Sequence, residues 1–599
     1  MKFLKIFLAA LLAVIVGSVL SGLVWVMVII GAAGSMQMQQ PTTITSSSVL
    51  KIDLAENIVD APSVNPLAGI DFMKMQQTNS LTLFEALRAI ETAKNDERIK
   101  ALYINFTGAG SASVTILEEL RAAILDFKQS GKPVVAYNEV YSQMGYYFAS
   151  VADKVYLQPE GSIEWAGLSF SSLFFKSALD KLGIKAEAFR PTVCKYKSAV
   201  EPYILNEMSP ANRRQMQELC DNMWTEIRAA IAESRGLECT TLNSLAETLE
   251  ITQPEDAVKH RFVDELLYED QVLTKFDEMG LERNLKGDVN FVSLGEYAAQ
   301  VQIDIKSLTA PQVGIIYANG QILDGAGEDD NVYSANLVEL LKKARKDENI
   351  KAVVLRVNSP GGSALASDVM WREIELLKAV KPVVVSMGSM AASGGYYISA
   401  PADVILCDKM TLTGSIGVFG MFLVGEDLFE DKLGISIDGV KSNRSSDFGQ
   451  RVMGVVLRKP TEVERRKLIR SVDKVYDTFT KRVSDGRNLS REQVYEIAEG
   501  RVWSGVQAVK IGLADAHGGL KEALAVAADK AGIKDNFRIT EVLGELTPFA
   551  AMMQSMKGKV RSAMLDDMSL AILKEREMLQ RELNRTGVQA YCPLYINIE

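Results

Sequence analysis

The sequence Lys-Pro-Val-Val at residues 132–135 occurs a second time at 381–384, and Gly-Tyr-Tyr at 145–147 occurs again at 395–397. Two further stretches recur in the same way: Ile-Lys-Ala at 99–101 and 350–352, and Asp-Lys-Leu-Gly-Ile at 180–184 and 431–435. The distance between the copies stays at 249 to 251 residues. An offset that is constant over such a length indicates a duplicated domain.

Each copy alternates short apolar strands with helices. In the second copy, the pattern predicts strands at 313–317, 352–357, 383–387 and 403–406, and a helix at 365–379. The matching strands of the first copy fall at 101–104, 134–137 and 154–157. Long polar helices are predicted at 206–235 and 462–487. Strands that alternate with helices predict an α/β fold with a buried, largely parallel sheet in each repeat.

Length and composition narrow the class of protein. The 599 residues exceed one domain of about 100–200 residues, and 47% hydrophobic residues are enough for both copies to bury a core. A net charge of −10 argues against a nucleic-acid partner. The five cysteines are widely spaced without a Cys-x-x-Cys motif, so we expect neither a metal site nor a cofactor.

The N-terminal stretch has the pattern of a membrane anchor. Lys2 and Lys5 precede an uncharged apolar run of 24 residues at 7–30, which is long enough as a helix to cross a hydrocarbon core of about 30 Å. We predict an uncleaved anchor with a cytoplasmic N-terminus and an exported body. The alternative is a signal peptide that is cut near Ala32, although the apolar core of such peptides is usually only about 7–15 residues long.

These features divide the chain into five predicted segments: the transmembrane anchor at 1–31, a polar linker at 32–49, the N-terminal repeat at 50–309, the C-terminal repeat at 310–545, and a helical tail at 546–599. The linker is rich in serine and threonine, which is typical of a spacer. The tail is rich in methionine and is predicted to be helical at 546–583, with a terminal strand at 590–598.

The two copies differ at one serine. Ser393, followed by two glycines, faces Gln143 of the first copy. Ser393 follows a predicted strand and precedes a predicted helix, which is the arrangement that presents a nucleophile at a tight turn. The backbone N–H groups of Gly394 and Gly361 can point at a carbonyl oxygen and stabilise its oxyanion. Gly361 belongs to Asn-Ser-Pro-Gly-Gly-Ser at 358–363, and a third glycine-rich piece is Thr-Gly-Ser-Ile-Gly at 413–417.

A serine nucleophile needs a base, and the chain has only two histidines. His260 and His517 lie near the ends of the repeats, in a pattern typical of surface or capping histidines. Lysine is therefore the candidate, and the first copy offers Lys195 and Lys197 in Cys-Lys-Tyr-Lys-Ser-Ala-Val-Glu-Pro at 194–202.

The lysine, like the serine, is present in one copy only. On an ungapped count its place in the second copy falls near Asp447, although Lys441 lies a few residues earlier. As a base, Lys197 must be neutral near pH 7, so its pKa must fall well below the ordinary value of about 10.4, which burial can achieve. Taken singly, Lys197 could be a surface lysine and Ser393 a turn serine. Together, the reciprocal losses favour one site that the two repeats share. Cys194 has no histidine nearby in sequence to activate it as a nucleophile.

The motifs at 196–202, 358–362, 390–396 and 412–417 resemble those of the signal peptide peptidase A (protease IV) family, in its long two-repeat form. The resemblance implies tandem Clp-protease/crotonase-like domains, a homotetramer, and a single-pass protein of the bacterial cytoplasmic membrane with its body on the outer side. It also implies a Ser/Lys dyad of Ser393 and Lys197, an oxyanion hole at Gly361 and Gly394, and Ser415 as the residue that orients the lysine.

The function implied is a membrane-anchored serine endopeptidase that degrades released signal peptides and other apolar, unfolded peptides. Its expected partners are those peptides, further copies of the chain and the lipid bilayer. Two alternatives stay open: a crotonase-type acyl-transfer enzyme, which would polarise a thioester without the Ser/Lys pair, and a non-catalytic membrane scaffold.

Overall fold

The computed structural model describes residues 44–63, 70–71, 76–77, 80–106, 112–284, 286–301, 309–544 and 589–591. The predicted anchor and most of the predicted tail lie outside these ranges. Within them, no helix combines the length and the apolarity needed to cross a membrane. Ile70–Asp71 and Gln76–Gln77 form a short antiparallel pair in one compact unit, and both repeats belong to another.

Each repeat is built on a parallel sheet, and the six core strands follow the same order in both. In the first repeat the order is Glu265–Leu266, Lys154–Ile163, Val134–Tyr141, Ile99–Ile104, Ser48–Ile52 and Asn290–Ser293. In the second it is Ala516–His517, Val404–Cys407, Val383–Ala392, Ile350–Ser359, Gln312–Asn319 and Arg538–Glu541. The structure therefore confirms the α/β class and the duplication.

The duplication extends to individual hydrogen bonds. A buried tyrosine hydroxyl donates to a backbone carbonyl in each repeat, from Tyr146 to Phe262 over 2.8 Å and from Tyr396 to Leu513 over 2.9 Å. Asp264 accepts the backbone N–H of Val155 and pairs with an arginine. Asp515 repeats both interactions in the second copy. The two repeats therefore share individual side-chain interactions as well as the order of their strands.

The helices cover the sheets. In the first repeat they are Leu83–Asn95, Val114–Lys128, Gln143–Ala149, Lys176–Lys181, Glu201–Ile204, Pro210–Arg235, Cys239–Glu247, Pro254–Lys259, Glu269–Glu278 and Leu294–Gln300. In the second they are Ser334–Lys346, Ala364–Lys378, Gly394–Ser399, Glu462–Arg487, Arg491–Ile497, Gly505–Lys510 and Leu520–Lys530. Ser198–Val200 is a 3₁₀ turn and Leu428–Lys432 a π-helical turn. Thr461 caps the helix Glu462–Arg487, which confirms the predicted bounds of that helix.

The predicted strands are present, with one informative difference. The strand predicted to end at residue 387 continues to Ala392, directly before Ser393. Gly388 permits this because a Cβ there would lie only 3.0 Å from the Asn358 side chain of the neighbouring strand. Residues 388–392, between the end of the predicted strand and Ser393, are therefore also strand. The predicted terminal strand is described only at Gln589–Tyr591, which pairs antiparallel with Gly361–Ser363.

The two repeats share a core and also a small sheet. One hydrophobic cluster contains Ile52 and Leu120 of the first repeat together with Val354 and Leu524 of the second. Lys185–Phe189 of the first repeat pairs antiparallel with Gly420–Val424 of the second, and Val455–Val456 and Arg451–Val452 extend that sheet. Because Lys185–Phe189 leads directly towards Lys197, this shared sheet brings the lysine segment of one repeat to the serine of the other.

Candidate active site

Ser393 occupies a strained turn between a strand and a helix. Its backbone has φ 57° and ψ −115°, a region that residues with a side chain rarely adopt. Its N–H donates to the carbonyl of Gly414 over 2.8 Å, and its carbonyl accepts the N–H of Tyr397 over 2.8 Å. These two bonds on opposite sides of the residue hold the strained conformation, which presents the side chain at the N-terminus of Gly394–Ser399.

Lys197 is held by a short segment of the first repeat that Glu201 anchors. Glu201 is fully buried and accepts hydrogen bonds from the Ser209 N–H and hydroxyl and from the Asn212 amide. These groups belong to the start of the long helix Pro210–Arg235, so the carboxylate also caps that helix. The N–H of Lys197 donates to the Cys194 carbonyl, and its carbonyl accepts from Arg190. The backbone of the lysine is therefore fixed on both sides.

The structure brings Lys197, Ser393 and Ser415 together. The lysine Nζ lies 2.6 Å from the Ser393 Oγ, 2.9 Å from the Ser415 carbonyl oxygen and 3.0 Å from the Ser415 Oγ. The exposed fractions of the three residues are 1%, 0% and 2%. The candidates for nucleophile, base and orienting residue thus meet in one buried cluster that a single chain supplies.

Gly500 of the second repeat makes room for the lysine, and Gly417 lies next to it. A Cβ on Gly500, which has φ +80°, would lie 2.5 Å from the Cβ of Lys197, and a Cβ on Gly417 would lie 3.4 Å from its Cδ. Gly500 also donates its N–H to the Ile416 carbonyl. Tyr196 donates its N–H to the carbonyl of Glu499, so the segment at 499–500 lies along the lysine backbone. The close contact between residues 499–500 and Lys197 was not predicted from the sequence. Its only signal in the sequence is the glycine at 500.

The two candidates for the oxyanion hole differ in whether their backbone N–H group already has a hydrogen-bond acceptor. Gly361 has φ +91° and donates its N–H to the Ser359 hydroxyl over 3.1 Å. Gly394 is the first residue of its helix, where backbone N–H groups have no intrahelical acceptor. A substrate carbonyl at Gly361 would therefore have to share or replace the hydroxyl of Ser359.

The remaining candidates lie elsewhere or have other partners. Lys195 is exposed and pairs with Glu499 at 2.8 Å, and this carboxylate raises the pKa of Lys195. Lys441 pairs with Asp447. Cys194 is buried, and burial raises the pKa of its thiol to about 11, which disfavours a thiolate.

The histidines have the peripheral positions that the sequence predicts. His260 follows the last residue of the helix Pro254–Lys259 as its C-cap and lies 3.2 Å from Glu250. His517 is exposed at the edge of the second sheet, beside the carbonyl of Cys407. The basic side chain that contacts Ser393 is therefore an amine and not an imidazole.

In the first repeat, a glutamine has taken the place of the serine. Gln143 is buried, its carbonyl oxygen accepts the N–H groups of Ala166 and Gly167, and its amide donates to the Gly167 carbonyl. The turn that carries Ser393 in one repeat thus carries a structural side chain in the other.

Comparisons with known proteins agree with the duplication. The sequence profile described as "Peptidase family S49" matches residues 126–282 and 375–534, once in each repeat. "Protease 4" of Haemophilus influenzae is 36% identical over 457 residues, which cover 74% of this chain and 72% of that protein. "Protease 4" of Salmonella typhi is 35% identical over 553 residues, which cover 88% and 85%.

Among solved structures, a ClpP1 mutant from Listeria monocytogenes covers 35% of this chain and 94% of its own, at 13% identity and a TM-score of 0.23. A TM-score this low does not establish a shared fold. The Clp-protease/crotonase-like fold of the two repeats therefore stays a prediction.

Proposed function

Because the chain belongs to peptidase family S49 and is a serine protease, we propose that Ser393 and Lys197 are its catalytic dyad, with Ser393 as nucleophile and Lys197 as general base. The observation that carries the proposal is the 2.6 Å between the lysine Nζ and the serine Oγ inside a buried cluster. That distance is within the range for direct proton transfer. Burial disfavours a charged ammonium, so the environment suits the neutral amine that the reaction needs.

Ser415 orients the amine of Lys197 through two hydrogen bonds. A neutral amine has two N–H groups and one lone pair. With its two protons donated to the carbonyl and the hydroxyl of Ser415, the lone pair of Lys197 faces the hydroxyl proton of Ser393. The serine then attacks the peptide carbonyl as its proton passes to the amine. The N–H groups of Gly361 and Gly394 stabilise the resulting oxyanion.

The ammonium of Lys197 then returns its proton to the leaving amine, and an acyl-enzyme on Ser393 remains. In the second half of the reaction, Lys197 takes a proton from a water molecule that attacks the ester, and the ammonium then returns this proton to the Oγ of Ser393 as the C–Oγ bond breaks and the second product leaves. The amine of Lys197 thus takes a proton from each nucleophile, first Ser393 and then water, and passes it to the group that leaves. The cycle uses no metal or nucleotide.

The proposed substrates are released signal peptides and other apolar peptides in an extended form. Gly361 and Gly394 leave the backbone beside Ser393 without side chains, which allows a peptide main chain to approach. The apolar run at 7–30 supports a single-pass anchor in a bacterial cytoplasmic membrane with the body on the outer side, and we extend the proposal to a homotetramer.

The decisive experiment replaces Ser393 by alanine and, separately, Lys197 by alanine. Cleavage of casein and of a synthetic signal peptide should fall at least about 1,000-fold in both variants, because nucleophile and base are lost in turn. Lys195→Ala is the matched control, since it removes a lysine two residues away that pairs with Glu499. Near-normal activity in either dyad variant, with the fold intact by circular dichroism, would refute the proposal.

A further inference from the structure

A buried carboxylate of the first repeat contacts the strand that leads to the oxyanion candidate of the second. Asp60 is 5% exposed and lies close to Arg356, which is 1% exposed, in the strand Ile350–Ser359. The Asp60 Oδ1 accepts from the arginine Nη2 over 2.6 Å and from its Nε over 3.1 Å. The other oxygen, Oδ2, accepts from the Asn358 amide over 2.9 Å. Both carboxylate oxygens of Asp60 therefore act as acceptors for side chains of one strand.

Asn358 connects this contact to the strand that carries the serine. Its amide nitrogen donates to Asp60 and, over 3.0 Å, to Asn319, while its Oδ1 accepts the backbone N–H of Met390 over 3.2 Å. Asn358 precedes Gly361 by three residues, and Met390 precedes Ser393 by three. The pairing of the two strands is irregular between Val357 and Ser359, so the regular ladder does not fix their spacing there. The Asn358 side chain bridges the strands at this irregularity.

Arg356 is held by a second carboxylate of the first repeat. Its Nη2 lies 2.7 Å from the Oε1 of Glu119, and its Nη1 donates to the Ser386 hydroxyl. Burial alone would lower the pKa of Arg356, but the carboxylates of Glu119 and Asp60 outweigh it and raise that pKa above the ordinary value. The guanidinium is therefore charged, and a buried charge requires its partners.

We propose that Asp60 is a positioning residue for the peptidase reaction: through Asn358 and Arg356 it holds the segment of Gly361 in register with the segment of Ser393. This inference rests on the proposed dyad and extends it, because the first repeat then supplies both the base and the group that aligns the nucleophile with the oxyanion hole. Asp60 contacts neither reacting atom, so its effect passes through the two strand residues.

The chemistry of Asp60 makes the proposal testable with an isosteric change. Both of its oxygens face donors, whereas an asparagine in its place would turn an N–H₂ group towards either Arg356 or Asn358. In Asp60→Asn we therefore expect kcat to fall about 10- to 100-fold, as is usual for a misplacement of about 1 Å, with KM changed less than about twofold. The rate at which a fluorophosphonate labels Ser393 should fall by the same factor.

A reciprocal exchange separates positioning from a general loss of structure. Asn358→Asp alone sets a second carboxylate against Asp60, and its labelling rate should fall at least as far. The double variant Asp60→Asn/Asn358→Asp restores a donor opposite an acceptor and keeps an acceptor for the Met390 N–H. Its labelling rate should recover to within about tenfold of the starting protein, a recovery of the kind that coupled neighbours show.

Asp264→Asn is the matched control, because Asp264 also pairs with an arginine and accepts a backbone N–H, but in the sheet of the first repeat. It should lower Tm and leave kcat unchanged. An Asp60→Asn protein with a lower Tm but normal kcat and labelling rate would overturn the positioning role, and so would a double variant without recovery. Fluorophosphonate labelling of Ser393→Ala would instead refute the dyad, so the two failures are distinguishable.

Discussion

The Nζ of Lys197 lies 2.6 Å from the Oγ of Ser393, although 196 positions separate the two residues in the chain. Each group comes from a different repeat, and an ungapped alignment of the two repeats places no equivalent serine or lysine in the other. A shared sheet and a shared core hold the two repeats in place. The position of the amine therefore depends on the packing of the second repeat around it, and the first prediction concerns that packing.

Gly500→Ala should displace the lysine. The new Cβ would lie 2.5 Å from the Cβ of Lys197, which is closer than van der Waals contact allows, and the backbone on both sides leaves little room for relaxation. We expect kcat to fall about 100-fold from a shift of about 1 Å. Peptide hydrolysis measured beside Tm is the test.

Gly131→Ala is the control for backbone strain. Gly131 has φ +77°, close to the +80° of Gly500, but a Cβ there meets no atom within 4 Å. Both variants should lose about 1–2 kcal/mol of stability from the left-handed conformation, and only Gly500→Ala should lose activity. Equal activity in the two variants would show that the lysine tolerates the contact.

Ser415→Ala should weaken the orientation of the lysine without removing it. The hydroxyl, at 3.0 Å from the lysine Nζ, is lost, whereas the backbone carbonyl at 2.9 Å stays. One hydrogen bond of this kind contributes about 1 to 1.5 kcal/mol, so kcat should fall roughly tenfold with KM nearly constant. Ser415 has φ +49°, and alanine meets the same backbone cost, so the change isolates the hydroxyl. A loss as large as that of Lys197→Ala would mean that Ser415 does more than orient the amine.

The sequence was most informative where motifs are repeated and where an expected residue type, histidine, is absent near Ser393. The offset between copies predicted two equivalent sheets, and the absence of a usable histidine led to Lys195 or Lys197, because both arguments need only residue types and spacing. The resemblance to a known family then selected Lys197. The roles of Asp60 and Arg356 and the close contact between Gly500 and Lys197 were not predicted. Their importance comes from contacts between residues far apart in sequence, such as Asp60 to Arg356, and a buried ion pair has no local pattern.

Glu118 should make the stability of the protein depend on pH. Burial raises the pKa of this carboxyl from 4.5 to about 7, although the N–H groups of Lys409 and Met410 oppose the shift. Between these two pH values the folded protein keeps a proton that the unfolded chain has released, so stability falls as pH rises from about 4.5 to 7. Glu118→Gln removes this contribution, worth about 1 to 3 kcal/mol, and its Tm relative to the starting protein should be higher at pH 8 than at pH 5.

Asp96→Asn is a control of opposite sign. Hydrogen bonds from Arg98 lower the pKa of Asp96 from 3.8 to about 2, so its contribution is present above pH 3.8 and is lost as pH falls towards 2. This variant should be destabilised equally at pH 5 and pH 8. A Glu118→Gln protein whose Tm difference is also the same at both pH values would contradict the assignment of the pH dependence to Glu118.

Ser393 should be a site where function costs stability. Its φ of 57° with ψ of −115° is a conformation that only glycine adopts without strain, and strain of this kind amounts to about 1–3 kcal/mol. Ser393→Gly and Ser393→Ala both remove the proposed nucleophile, so both should be inactive. The glycine variant alone relieves the strain, and we expect it to exceed the alanine variant in stability by about 1 kcal/mol or more. Chemical denaturation of the two proteins side by side measures the difference, and an alanine variant as stable as the glycine variant would show that the turn carries no strain.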